Sequence, residues 1–202
     1  LGNLAGIVDP SGIERTLTYD LASRLVSTED PDRGLTTYEW DAASNLVGRV
    51  DASGLELRQI FDAKARVLAS WEKGNEEATQ RTWRYDRAPD DCPQCTNPGD
   101  RVTETTYPLG DGVVGVDRFG YTARNQEAWT SRTLGGHTFE FSLEYDEDER
   151  VVAVSGPGGM GYSMVHDGAS RVTSVPGFVD DATYHPSGPC ERLELGNGVV
   201  SE

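Results

Sequence analysis

Two cysteines stand three residues apart in Cys92-Pro93-Gln94-Cys95, a spacing that serves half a zinc site, a redox dithiol or a small local disulfide. A structural zinc takes four ligands, and Cys190, the one other cysteine, stands alone. A thioredoxin-like dithiol needs a βαβ setting and electropositive surroundings that favour the thiolate. Here Asp90 and Asp91 precede the pair and no βαβ pattern surrounds it. Cys92 and Cys95 therefore read first as a local disulfide or structured insertion tip, second as a partial metal site, and last as a redox centre.

Other candidate chemistry is sparse. His137, His166 and His185 include no pair at helical ligand spacing. The serines have no Gly-x-Ser-x-Gly elbow, and Gly156-Pro157-Gly158-Gly159-Met160-Gly161 lacks the Lys-Ser/Thr that follows a phosphate loop, so it reads as a hairpin tip. The acidic run Glu144, Asp146, Glu147, Asp148 and Glu149 lacks calcium-loop spacing and reads as a solvated turn. The expectation is a chain with no catalytic, cofactor-binding or metal site. It is not expected to be an enzyme.

What must position these residues is a repeat. An aromatic followed by Asp recurs at an even interval in Tyr19-Asp20, Trp40-Asp41 and Phe61-Asp62. Tyr145-Asp146 and His166-Asp167 repeat the interval further along, the latter with His in the aromatic slot. Five residues after the aromatic come Arg24, Asn45, Arg66, Arg150 and Arg171, each followed by Leu or Val. Eleven residues after it comes a turn signal, as in Asp30-Pro31-Asp32-Arg33-Gly34, Asp51-Ala52-Ser53-Gly54 and Gly156-Pro157-Gly158-Gly159. Asp9-Pro10-Ser11-Gly12 fits a preceding copy.

Two turn signals per period leave two strands of about eight residues, about 26 Å each, so one repeat is one β-hairpin. His137 to Tyr145 alternates as a strand should, with Phe139, Phe141, Leu143 and Tyr145 on one side. The window Leu57 to Trp71 has apolar residues near helical spacing, but its Phe61-Asp62-Ala63 aligns with Trp40-Asp41-Ala42, so the register assigns it strands. The stretch between Phe61 and Tyr145 has the length of four periods with displaced markers, Tyr85-Asp86 and Tyr121-Thr122. Tyr184-His185 begins a last copy. The expected organisation is regular repeats over 1–85, a degenerate repeat or insertion carrying Cys92 and Cys95 over 86–120, and repeats over 121–202 with the last one truncated.

The chain has 202 residues and a net charge of −16, which repels phosphate backbones and anionic lipid and disfavours nucleic-acid or membrane-surface partners. No apolar run is long enough for a membrane-spanning helix. The first residue is Leu1 and the last lie inside a repeat, so the chain reads as a piece of a longer protein. Sixteen arginines stand against two lysines, Lys64 and Lys73. Arg24, Arg66, Arg150 and Arg171 are expected to form bidentate pairs with the repeat aspartates and to stitch neighbouring hairpins.

The pattern in Tyr19-Asp20-Leu21-Ala22-Ser23-Arg24-Leu25-Val26 and its copies resembles the YD-repeat family, shared by bacterial Rhs proteins, the shell subunits of ABC insecticidal toxin complexes and the teneurins. The resemblance covers nearly the whole chain. It implies an all-β fold of tandem antiparallel β-hairpins forming part of a curved, spiralling sheet or shell. For bacterial members it further implies a secreted or cell-surface protein whose shell encloses a C-terminal toxin or effector of the same parent chain. The alternative is an extracellular adhesion or carbohydrate-binding scaffold of the teneurin type, with the Asp86 to Tyr121 insertion as the contact. If the acidic charge extends to the inner wall, an enclosed partner should be basic or neutral. The family commonly places Gly four residues after the aromatic, where this chain has Ser23, Ser44, Ala65, Glu149 and Ser170. Should that slot need a positive φ, Glu149 is the poorest fit.

Overall fold

The computed structural model describes residues 2–201. Strands form where β-branched and aromatic residues lie between turn signals, and they fall into two compact units. Unit 1 comprises Leu1–Arg84 and Glu104–Val116; unit 2 comprises Tyr85–Thr103 and Asp117–Glu202.

Unit 1 opens with β1 (Gly6–Val8), β2 (Glu14–Tyr19), β3 (Leu25–Asp30), β4 (Gly34–Trp40), β5 (Leu46–Val50), β6 (Glu56–Phe61) and β7 (Val67–Glu72). A single helical turn, α1 (Glu76–Thr79), precedes β8 (Arg81–Tyr85). Two long strands follow, β9 (Val102–Gly110) and β10 (Val113–Tyr121), whose residues are divided between the units. Unit 2 continues with β11 (Glu127–Leu134), β12 (His137–Tyr145), β13 (Val151–Ser155) and β14 (Gly161–Ser163). It also holds a two-stranded sheet, β15 (Val165–His166) with β16 (Val172–Ser174), and a three-stranded one of β17 (Val179–Tyr184), β18 (Cys190–Leu195) and β19 (Val200–Ser201). Each of β1 to β14 is hydrogen-bonded to its neighbours in sequence order. The all-β expectation of tandem antiparallel hairpins is what the chain adopts.

The window from Leu57 to Trp71 forms β6 and β7 around a turn at Asp62, with Ile60 opposite Ala69 and Phe61 opposite Val67. Its helical spacing is overridden because the Asp62 carboxylate caps a turn, as described below. The middle of the chain departs from the even interval. After Phe61 the aromatics that end strands are Tyr85 in β8, Tyr121 in β10 and Tyr145 in β12, so three lengthened units fill the space read as four periods. The extra residues are α1, the insertion before β9, and the longer strands β9 to β12.

Hardly any core exists. Among the described residues the buried hydrophobics are Ala69, Cys92, Cys95 and Ala182, while Phe139, Phe141, Met160, Tyr162 and Phe178 stay exposed. In β4 alternate residues are half-buried and exposed, the signature of a strand with little covering it. Such an array depends on strand ladders, cross-strand pairs and contacts between neighbouring repeats rather than on a filled interior.

A register shift recurs immediately before each repeat aromatic, at Thr18/Tyr19, Glu39/Trp40, Ile60/Phe61, Glu144/Tyr145, Val165/His166 and Thr183/Tyr184. In the Asp-bearing copies without an insertion the residue four after the aromatic is left-handed: φ is 63° at Ser23, 67° at Ser44, 59° at Ala65, 66° at Glu149 and 63° at Ser170. This is a tight turn closed by a bulge whose last residue must take positive φ. A side chain there costs about 1–2 kcal/mol, partly offset by the entropy glycine loses on folding. Ala65→Gly and Glu149→Gly should each therefore stabilise the chain by about 0.5–1 kcal/mol in urea unfolding. A loss of stability in both would contradict the left-handed assignment.

Candidate functional site

The repeated structural site is the turn after each aromatic, and its chemistry belongs to one carboxylate. In the first copy Asp20 Oδ1 accepts the backbone N–H groups of Ala22 and Arg24, both at 2.9 Å, while Oδ2 accepts Arg24 Nε at 2.7 Å. The Asp20 N–H donates to the Arg24 carbonyl, closing the hairpin. Asp41, Asp62, Asp146 and Asp167 repeat the arrangement, with Asn45 Nδ2 replacing the guanidinium at Asp41. Charge-assisted bonds of this kind are the strong ones. They hold every one of these carboxyls below the ordinary 3.8. At Asp62 the cause is first the Arg66 backbone N–H, and at Asp41 the Asn45 side-chain amide. At Asp167 the Arg171 backbone N–H, then its guanidinium, bring the value to about 2. At Asp146 burial pulls upward, and the Arg150 bonds outweigh it.

The arginines also join successive repeats. Arg24 Nη1 donates to the Asp41 carbonyl at 2.8 Å, and Arg150 Nη1 to the Asp167 carbonyl at 3.0 Å. The expected stitching is present, but the pairing differs from the expected two-oxygen fork. In Arg66, Nε and Nη2 converge on the single oxygen Oδ2 of Asp62, because Oδ1 is taken by the turn backbone. The aromatics reach the other way. Trp40 Nε1 donates to the Leu25 carbonyl, Tyr145 OH to that of Glu127, and Tyr184 OH to that of Val172. Repeats thus grip a predecessor through an aromatic tip and a successor through a guanidinium.

Two copies without Asp keep the turn with other acceptors. Thr122 Oγ1 accepts the N–H groups of Arg124 and Gln126 at 3.2 Å, and His185 Nδ1 accepts that of Ser187 at 3.1 Å. His185 is therefore a turn residue. His166 occupies an aromatic slot in β15 with its Nδ1 buried and unpartnered, and His137 is exposed at the start of β12. The structure brings the three histidines into no common site. Among the described residues no group of His, Cys, Asp and Glu could hold a metal ion. The acidic run contains the Asp146 turn, and the Gly156 to Gly161 segment is the tip between β13 and β14.

Cys92 and Cys95 form a disulfide, and Cys190 is free and exposed. Their segment lies inside a repeat turn, which sequence reasoning missed. Asp86 N–H donates to the Arg101 carbonyl and Asp86 Oδ1 accepts the Asp100 N–H at 2.7 Å, so Asp86 and Arg101 play the parts of Asp20 and Arg24 with a strap spliced between them. Arg101 stacks on the Tyr121 ring at 4.8 Å, as Arg171 stacks on Tyr184 at 4.7 Å. The strap folds back on the sheet. Arg118 pairs with Asp91 at 3.0 Å, Thr96 Oγ1 and Asn97 Nδ2 donate to the Tyr121 carbonyl, and the Tyr121 N–H donates to the Thr96 carbonyl. Beneath it lies Thr103, fully buried, its hydroxyl donating to the Arg87 carbonyl at 2.8 Å. The signal available in sequence was the Tyr85-Asp86 marker with an Arg-Val pair at Arg101-Val102.

A model of the RHS repeat matches residues 1–35 and 22–56. No curated protein matches the chain. Among solved structures, TcdB2-TccC3 aligns over 96% of the chain with a TM-score of 0.72 at 17% identity, and TcdB2-TccC3-Cdc42 over 96% with 0.70 at 17%. The Photorhabdus luminescens Tc holotoxin pore aligns over 95% with 0.69 at 17%. The chain spans about a tenth of the length of those chains, 10–11%, and likeness at this identity is likeness of fold. No helix among the described residues is long and apolar enough to cross a membrane. With its aspartate-capped turns recurring in register, the chain matches the RHS repeat over residues 1–56 and shares the hairpin-array fold of these structures along nearly its whole length.

Proposed function

We propose that this chain is a wall segment of an Rhs-type shell in a larger secreted or surface bacterial protein, and that the shell encloses a C-terminal toxin or effector of the same parent and helps deliver it. The observation that carries the reading is the fold match along 96% of the chain to TcdB2-TccC3. A further match is TcdB2-TccC3 without its hypervariable C-terminal region. The sheet itself supports a wall. Hairpins that grip only their neighbours add length without needing a deeper core, and almost every side chain of this array remains partly exposed. The role is structural rather than catalytic. The adhesion alternative would use the segment from Asp86 as its contact, and that segment is folded onto β9 and β10 with Asp91, Gln94 and Asn97 exposed.

The test is limited proteolysis of the full parent protein, with the region C-terminal to the repeats expressed alone as control. Survival of that region in the parent, against rapid digestion alone, is the expected result. Equal digestion in both would leave the repeats as an open scaffold and overturn enclosure.

A further inference from the structure

The strand ladder that runs through β1 to β14 stops inside unit 2, where β15 and β16 form a sheet of their own. In four strands elsewhere one residue is paired on both sides, which ties each hairpin to the next. Thr16 lies opposite Gly6 and Glu29, Thr37 opposite Ser27 and Val50, Leu57 opposite Arg49 and Glu72, and Ser142 opposite Trp129 and Ser155. Across 161–166 that overlap is gone. Gly161 to Ser163 face β13, Val165 and His166 face β16, and the two pairings share no residue. The Met164 N–H gives the last bond to β13, at 2.8 Å to the Val152 carbonyl. On the far side Val175 and Val179 form an isolated bridge. Side chains must therefore hold what the ladder does not, and one grip is missing. In four copies the aromatic tip donates to the carbonyl of the residue that follows the preceding repeat's Arg or Gln. Trp40 reaches Leu25 after Arg24, Tyr121 reaches Val102 after Arg101, Tyr145 reaches Glu127 after Gln126, and Tyr184 reaches Val172 after Arg171. The same rule assigns His166 the Val151 carbonyl, after Arg150. Its Nδ1 is instead buried with no hydrogen-bond partner among the described residues. A phenol carries its hydroxyl beyond the ring, whereas an imidazole keeps its nitrogens within it.

We propose that the β15–β16 hairpin is a hinge built into the array, which opens locally while the repeats on both sides stay folded. Local opening is favoured where few rungs must break, and here neither neighbour holds the hairpin by a shared rung. Opening also lets water reach the buried His166 nitrogen, which repays part of its cost. The guanidinium groups keep the hairpin tethered. Arg150 Nη1 holds the Asp167 carbonyl at 3.0 Å on one side, and Arg171 lies over the Tyr184 ring and donates to the His185 carbonyl at 3.3 Å on the other. Tethers of single bonds at both ends, with no continuous ladder between them, are what lets a segment swing and return. The hinge belongs to the chain itself and stands apart from whether the wall encloses anything.

The experiment is amide hydrogen exchange of the whole chain, read at one bond that recurs in three places. The Asp62, Asp146 and Asp167 N–H groups donate across the same turn, to the Arg66, Arg150 and Arg171 carbonyls at 2.9, 3.0 and 2.9 Å. After correction for intrinsic rates, Asp167 and Met164 should exchange faster than Asp62 and Asp146 by about tenfold or more. His166→Tyr supplies the hydroxyl that the Val151 carbonyl can accept. It should slow Asp167 and Met164 by about tenfold and leave Asp62 unchanged. His166→Phe fills the same slot without a donor and should leave both fast. If His166→Tyr fails to fold, the comparison within the unsubstituted chain decides alone. Protection at Asp167 equal to that at Asp62 and Asp146, no slowing in a folded His166→Tyr, or equal slowing in His166→Phe would each overturn the proposal.

Discussion

Gly120→Ala should unseat the strap from Asp86 to Arg101 and cost the chain about 3 kcal/mol, the upper end for forcing atoms into a closed contact. A Cβ on Gly120 would lie 2.0 Å from the carbonyl oxygen of Gln94 and 3.4 Å from the Thr96 nitrogen. The obstacle is backbone next to a disulfide at Cys92 and Cys95, so it cannot swing aside as a side-chain tip would. Moving the strap breaks the Thr96, Asn97 and Tyr121 bonds together and uncovers Thr103. Gly99→Ala, with nothing within 4 Å, is the matched control and should be near neutral. Urea unfolding and protease cleavage within 87–100 measure the effect. Equal stability of the two variants would show that the strap does not seat on Gly120.

Acid should dismantle the array between about pH 4 and about pH 2. Asp9, Asp20, Asp30, Asp41, Asp51, Asp62, Asp146 and Asp167 are all held below their ordinary 3.8 in the folded chain, and Glu56 and Glu76 below 4.5. A depressed carboxyl makes the unfolded state bind more protons, so its contribution is complete above the unfolded value and is lost as pH falls through the folded one. The lower limit is set by Asp167, at about 2. Glu127, raised by burial, runs the other way and is relieved by acid. It is one group against ten. Thermal midpoints should be nearly flat from about pH 7 to 5 and fall steeply below about 4; a flat profile down to about pH 2.5 would contradict the role given to these carboxylates.

The repeat was legible because its chemistry is local. An aspartate that caps a turn within four residues leaves a fixed spacing in the sequence, and Asp20, Asp41, Asp62, Asp146 and Asp167 all leave it. The same locality explains why the helical spacing after Leu57 misleads: periodicity reports which side chains share a face, while Asp62 dictates where the chain must reverse. The left-handed position was legible through the glycine absent from it. What stayed hidden was non-local or a matter of substitution. Asp86 and Arg101 close a turn across the inserted strap, so no fixed offset marks them. Thr122 and His185 accept turn N–H groups with different atoms in the same place, which a search for Asp passes over.

The central claim is that turn carboxylates, rather than a core, hold each hairpin, and amide hydrogen exchange in Asp62→Ala tests it most directly. Asp62 Oδ1 accepts the Lys64 and Arg66 N–H groups at 2.8 and 3.0 Å, and Oδ2 fixes the Arg66 guanidinium. Exchange at Lys64 and Arg66 should accelerate by orders of magnitude, with protection falling along β6 and β7 and staying near its original level at Arg150 and Arg171 in unit 2. Unchanged protection at Lys64, Arg66 and the paired residues Ile60 and Ala69 would contradict it.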